Sequence, residues 1–252
     1  MIYLYIIIAL IGIGVGALTG ITGSSGVLIV VPALSIMGLG FKTAVGSSLL
    51  VDVITTTIVI YVYFKDKTLD IYTGLFMGVG AVIGAQIGTY IASMIDAFPL
   101  ELAFIFMTGY MSYYSMKRSF KKTNIAKRNI ERKKALPVAM LLSIPIGILT
   151  GTIGTSGGVM FVFITMLLFN ISAQKMVGTA TLAMLFSALS GVGGYIRIGH
   201  IDFLYSIIIG GIALISGYYF SVFAHRIDEK YIYRSLSFIF MAVIITESIK
   251  IV

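Results

Sequence analysis

The sequence predicts an all-α polytopic membrane protein made of two homologous repeats of inverted topology. Each repeat is a glycine-broken hairpin segment followed by three transmembrane helices. Three observations lead there. Of 252 residues, 58% are hydrophobic and only 11% charged, whereas a water-facing domain carries about a quarter charged residues. The stretch Thr19-Gly20-Ile21-Thr22-Gly23-Ser24-Ser25-Gly26 returns 131 residues later as Thr150-Gly151-Thr152-Ile153-Gly154-Thr155-Ser156-Gly157-Gly158. Finally, nine of the eighteen basic residues lie between Lys117 and Lys134, against the single acid Glu131.

The same composition excludes several classes of function. With no Cys, neither a disulfide framework nor a thiolate metal site can form. His200 and His225 stand too far apart for a zincin pair, so neither metal nor cofactor is expected, and an intramembrane enzyme is disfavoured. The net charge of +8 is explained by cytoplasmic retention of the basic linker rather than by nucleic-acid binding. Fifteen Tyr and no Trp leave interfacial anchoring to tyrosine.

The elements follow in order. Met1 to Ala17 has no basic n-region and leads into glycine rather than a cleavage site, so it reads as the first membrane segment. That segment runs from about Ile2 to Leu18, and a second apolar piece follows the break from Gly26 to Met37. Lys42–Phe64, Ile71–Met94 and Leu100–Met116 complete a first repeat over residues 1–116. Residues 117–134 form the basic cytoplasmic linker, and the second repeat occupies 135–252. It comprises Ala135–Leu149, the second break, Val159–Phe169, Gln174–Ile196, Phe203–Ala224 and Tyr231–Ile249. The full segments have roughly the 17–25 residues that a bilayer crossing needs.

The duplication extends beyond the breaks. Val45-Gly46-Ser47-Ser48 matches Val177-Gly178-Thr179-Ala180, and Asp70 matches Asp202. Ile95-Asp96 matches Ile227-Asp228, and Phe104-Ile105-Phe106-Met107 recurs as Phe238-Ile239-Phe240-Met241. An ordered series of this kind marks an internal repeat. Each broken segment would extend roughly 45 Å as a helix, too long for one crossing, so it should enter and return. Each half then makes an odd number of crossings, which inverts the second half. Charge supports this orientation. With the linker left out, inversion places Lys65, Lys67, Lys175, Arg226, Lys230 and Arg234 inside, and Lys42, Arg197 and Lys250 outside. A parallel arrangement gives four inside against five outside.

A helix that begins after a break points free N–H groups and a positive dipole end at it, which suits an anion without any charged side chain. The candidate substrate-binding residues are therefore Thr19, Gly23, Ser24, Ser25 and Gly26, with Thr150, Gly154, Thr155, Ser156, Gly157 and Gly158. Packing alone does not call for consecutive Ser and Gly. Gly12, Gly16 and Gly20, like Gly80, Gly84 and Gly88, have instead the small-xxx-small spacing of helix packing. Gly46, Ser47 and Ser48, with Gly178, Thr179 and Thr181, lie one helix further on. They either complete the pocket or bond back to their own helix carbonyls. Asp52 is a carboxylate deep in an apolar helix, and its repeat equivalent is Met184. It is a coupling candidate, as proton carrier or ion ligand, or else a neutral acid bonded to a neighbouring helix. Gln86 reads as a helix-packing residue, Arg197 and His200 as interfacial, and Glu247 as snorkelling.

The motif Gly16-x-x-Thr19-Gly20-x-x-Gly23-x-x-Gly26 with Val31-Pro32, and its echo from Gly147 to Gly158, resembles the TauE/SafE family, the sulfite exporter or toluene-sulfonate uptake permeases. The resemblance covers essentially the whole chain, including the two-half layout and the basic loop. It departs at Ser24-Ser25-Gly26-Val27, where a fuller glycine run is typical, and at Val162-Phe163, where the family pattern has Pro. The resemblance implies a multi-pass permease of the prokaryotic plasma membrane that carries small sulfur-containing anions such as sulfite or organosulfonates. The expectation is a secondary transporter in the lipid bilayer, proton-coupled, rocking its repeats around the two breaks. An anion channel of the same fold, or a non-transporting membrane subunit or receptor, are the alternatives. Self-association is left open.

Overall fold

A computed structural model describes residues 2–120, 131–154, 157–169 and 171–224. The described residues are all-helical: α1 (Ile2–Thr22), α2 (Val27–Ile36), α3 (Phe41–Lys65), α4 (Ile71–Met94), α5 (Ala97–Phe120), α6 (Arg132–Ile153), α7 (Gly157–Leu168), α8 (Ala173–Arg197) and α9 (Phe203–Ala224). Six of them, α1, α3, α4, α6, α8 and α9, are long and apolar enough to cross a membrane. The expected segment Tyr231–Ile249 and most of the basic linker lie outside the described residues.

Helix boundaries differ from the sequence expectation at the breaks. The α1 helix continues through Thr22 and α6 through Ile153, so Thr19 and Thr150 are helical rather than part of the broken backbone. The reason is local: small hydroxyl residues bond back to the preceding turn, as Thr22 Oγ1 does to the Leu18 carbonyl (2.7 Å) and Thr150 Oγ1 to that of Ile146 (3.0 Å). The helix stops only at a glycine with a left-handed backbone, Gly23 (φ +64°) or Gly154 (φ +68°). At the linker, α5 runs on to Phe120 and α6 begins at Arg132, so both ends of the basic segment are helical.

Packing is set by glycine. Gly12, Gly16 and Gly20 of α1 lie in turn against Ile209/Ile212, Ala213/Ser216/Gly217 and Gly217/Ser221 of α9. Both helices therefore run the same way. Likewise Gly80, Gly84 and Gly88 of α4 meet Met140, Ile144 and Ile148 of α6. At each of these α4 glycines a side chain would collide with the facing backbone, which confirms the packing role their spacing predicts. The other face of α4 carries large apolar residues every fourth position: Ile71, Leu75, Val79, Ile83 and Ile87, all exposed. Small residues point inward and large ones toward lipid.

Further pairings complete two bundles. On α9, Ser206 donates to the Ser47 carbonyl (3.1 Å), Gly210 meets Ile54 and Gly217 meets Thr55 and Val59, so α9 is parallel to α3 as well. In the other bundle Gly74 meets Leu182, Gln86 Nε2 donates to the Ser190 carbonyl (2.7 Å), and Gly194 meets Thr89, so α4 is parallel to α8. Between bundles the direction reverses: Gly46 meets Tyr195, Gly191 meets Leu49 and Gly178 meets Tyr63, so α3 and α8 are antiparallel. The helices α1, α3 and α9 thus run one way, and their repeat mates α6, α8 and α4 run the other. Each bundle borrows one helix from the opposite half of the sequence.

Repeat-related contacts reinforce this arrangement. Asp70 N–H donates to Thr179 Oγ1 (3.0 Å), and Asp202 N–H donates to Ser47 Oγ (2.8 Å). Tyr63 Oη donates to the Gly20 carbonyl (3.2 Å), and Tyr195 Oη to that of Thr152 (3.3 Å). The α3–α4 loop accordingly sits at the start of α8, and the α8–α9 loop at the start of α3. Two experiments check the fold. Because the chain has no Cys, Lys67→Cys and Gly199→Cys should react with a membrane-impermeant maleimide from opposite faces of sealed vesicles. Gly84→Leu should lower the melting temperature in detergent by the equivalent of about 1–3 kcal/mol or more, whereas Val79→Leu on the lipid face should be neutral.

Candidate functional site at the paired helix breaks

Each break is built alike. The left-handed glycine closes the first helix, with Gly23 N–H donating to the Thr19 carbonyl (2.9 Å) and Gly154 N–H to that of Thr150 (3.0 Å). A short helix then starts: α2 after Gly26 and α7 at Gly157. Almost every side chain of α2 is buried, which suits a helix enclosed in protein rather than facing lipid. The breaks come together. Gly158 lies against the Gly23 carbonyl and the Ser24 backbone, Gly154 against Val27 and Val45, and Gly23 against Val177 and Thr181. Broken backbone from both halves thus shares one protein-lined interior, as its unsatisfied polar groups require.

Asp52 is the centre of the first break. From the middle of α3 its carboxylate accepts the Gly26 N–H (2.7 Å) and a hydrogen bond from the Ser25 hydroxyl. Ser25 Oγ in turn accepts from Val27 N–H (3.1 Å), and Ser24 N–H donates to Thr22 Oγ1 (3.0 Å). Asp52, Ser24 and Ser25 are at most 1% exposed. Among the described residues no cationic side chain forms an ion pair with Asp52. The carboxylate is therefore held by the amino end of α2 and a hydroxyl alone, a setting in which backbone donors and the helix dipole favour negative charge.

The remaining sequence candidates take different places. Thr19 is fully buried with no hydrogen-bond partner for its hydroxyl among the described residues. Thr155 and Ser156 lie outside the described residues. Gly46 and Gly178 are close-approach sites, facing the His200 and Thr68 carbonyls. Ser47 and Thr179 receive the loop N–H groups described above, which ties helix ends together. Ser48 bonds to the Val45 carbonyl (2.7 Å) and Thr181 to that of Val177 (2.8 Å), the backbonding alternative. Thr181 nevertheless touches Gly23. Gln86 staples α4 to α8, and Arg197 is exposed at the helix end. His200 Nδ1 is 3.2 Å from Thr43 Oγ1.

Sequence reasoning named Asp52 but missed its partners, because contact between residues 26 apart depends on how α2 folds back on α3. It also passed over Tyr63 and Tyr195, although their spacing of 132 residues equals the repeat offset. Asp70 was seen only as a repeat marker. It caps α4 through the Thr73 N–H (3.2 Å) and pairs with Arg132 (2.7 Å), which stacks over Tyr72.

A family model described as sulfite exporter TauE/SafE matches residues 8–246. The chain belongs to the TauE/SafE family. It is a multi-pass membrane protein of a transporter family, not of an enzyme class. Curated relatives include the probable membrane transporter proteins YunE and YjnA of Bacillus subtilis (strain 168). The first is 25% identical over 86% of this chain and 85% of the relative, the second 23% identical over 97% and 98%. A third, YdhB of the same organism, is 26% identical over 75% of this chain and 78% of its own length. No solved structure matches.

The geometry at Asp52 gives a direct test. Ser25→Ala removes one of the two donors on a buried carboxylate and should cost about 1–3 kcal/mol, read as a lower melting temperature of the purified protein. Ser25→Thr, which keeps the hydroxyl, should recover most of it.

Proposed function

We propose that this protein is a secondary permease of the prokaryotic plasma membrane for small sulfur-containing anions such as sulfite or organosulfonates. The single observation that carries the reading is the Asp52 carboxylate, an anion held in the protein interior at a helix amino end by N–H and hydroxyl donors. A site of that chemistry takes oxyanions without a fixed cation, and donors rather than countercharges leave the complex weak enough to release. The sulfite exporter name of the family supplies the substrate class. Its relatives are named as transporters without a substrate.

The antiparallel placement of repeat mates supports an inverted-topology carrier, with the broken helices meeting near the midplane. In such a carrier the bodies that move against each other are the two packed bundles, α1–α3 with α9 and α6–α8 with α4, rather than the two halves of the sequence. Asp52 is the coupling residue, and a proton the coupling ion. Its position against Ser25 and Gly26 lets a change in its charge act directly on the broken backbone.

Proteoliposomes loaded with purified protein test the reading. Labelled sulfite, sulfoacetate and taurine should be offered with and without a proton gradient. Saturable flux that accumulates sulfite or a sulfonate against its gradient is expected, and Asp52→Asn should abolish accumulation while exchange persists. Non-saturating flux indifferent to the proton gradient would indicate a channel instead.

A further inference from the structure

We infer that Asp52 is a resident anion filling one of two repeat-related anion seats, and that the other, at the amino end of α7, is the one left for substrate. Each chain then takes one anion, on the α7 side. The inference rests on reading the breaks as an anion site and specifies which half of it is free.

The argument is a comparison of the halves with each other. Ser25 and Gly26 correspond to Ser156 and Gly157 at the repeat offset of 131, and Asp52 corresponds to Met184 at 132. The short helices pack on equivalent partners, α2 on α3 and α7 on α8. Asp52 and Met184 are both 1% exposed, so each side chain is buried within its own half. In the first half that position delivers a carboxylate to the Gly26 N–H and the Ser25 hydroxyl. In the second half it delivers a thioether, which bears no charge and is a weak acceptor. Met184 packs instead into an apolar cluster with Phe161, Ala180 and Ala183. Here the protein displays what the break geometry binds, because the first seat already holds an anion. The second seat has the same kind of backbone, a left-handed glycine followed by a helix amino end, without the built-in occupant.

The two seats are neighbours, since Gly158 of α7 rests on Gly23 and Ser24 of the first break. A resident negative charge beside the free seat repels a second anion through a medium of low dielectric. It therefore limits occupancy to one and weakens the hold on that one. A carrier benefits from both effects, because a bound anion must also leave.

The test moves the carboxylate between halves. Purified full-length protein in detergent is titrated with sodium sulfite and, separately, with sodium bromide, using calorimetry for stoichiometry. Size exclusion and helical circular dichroism check folding. The wild type should bind one anion per chain. Met184→Asp, with both seats filled internally, should lose binding by at least tenfold in affinity. The double variant Asp52→Met/Met184→Asp frees the first seat and should bind one anion again. Asp52→Asn, isosteric but uncharged, should bind several-fold more tightly than wild type. A folded Met184→Asp that binds like wild type would overturn the proposal, as would a folded double variant that stays unable to bind, or weaker binding by Asp52→Asn. Should Met184→Asp fail to fold, the Asp52→Asn affinity decides. Bromide binding without sulfite binding would reject the substrate class while leaving the seat assignment in force. Failure of both anions to bind wild type would reject the seat itself.

Discussion

A helix that ends inside a bilayer leaves N–H and carbonyl groups that lipid cannot satisfy. Nearly everything distinctive in this chain answers that constraint. Left-handed glycines close α1 and α6 with one more backbone bond each, the Asp52 carboxylate takes the first amide of α2, and buried tyrosines reach carbonyls of the helices that precede the breaks. The cost of stopping a helix at depth is thus met by protein groups recruited from other helices. Those groups in turn fix where α3 and α8 must stand.

The second organising fact is the exchange of helices between halves. Glycine faces let α1 and α9, or α4 and α6, approach until backbone touches backbone. Between membrane helices, where apolar surface gains nothing by leaving lipid, such close approach is the main source of association. The strongest glycine contacts join different halves of the sequence. The repeats are therefore units of descent and not of packing, and α3 against α8 forms the antiparallel seam between the bundles.

Much of this was legible in the residues. Hydropathy and spacing located the described membrane helices within a few positions, and the glycine triplets at 12, 16 and 20 and at 80, 84 and 88 announced their packing role. The repeat offset implied pseudo-symmetry, and Asp52 stood out because its mate is Met184. Other features were not legible. Where each helix would stop was hidden, since Thr19–Thr22 and Thr150–Ile153 look like loop yet stay helical through side chains bonded to the turn before. The exchange of α4 and α9 was hidden as well, because spacing reveals that a face is small but not which face it meets. The hydroxyls at Ser47 and Thr179 read equally well as ligands or as structural acceptors, and only the position of a distant loop N–H separates those roles.

The exchange also has a consequence for how the chain comes into being at the ribosome. The small face of α1, which runs from Gly12 to Gly20, has its mate in α9 near the far end of the chain. Some 200 residues separate them, and at roughly 5–20 residues per second this is about 10–40 seconds of synthesis. Throughout that interval α1 must wait in the membrane with its backbone-exposing side uncovered. A nascent chain truncated after the linker would hold α1 and α4 with neither of their glycine partners. Early segments of this protein therefore depend on insertion machinery or transient neighbours to shield them, and the quality-control burden falls on the first half even though the last helices complete the fold.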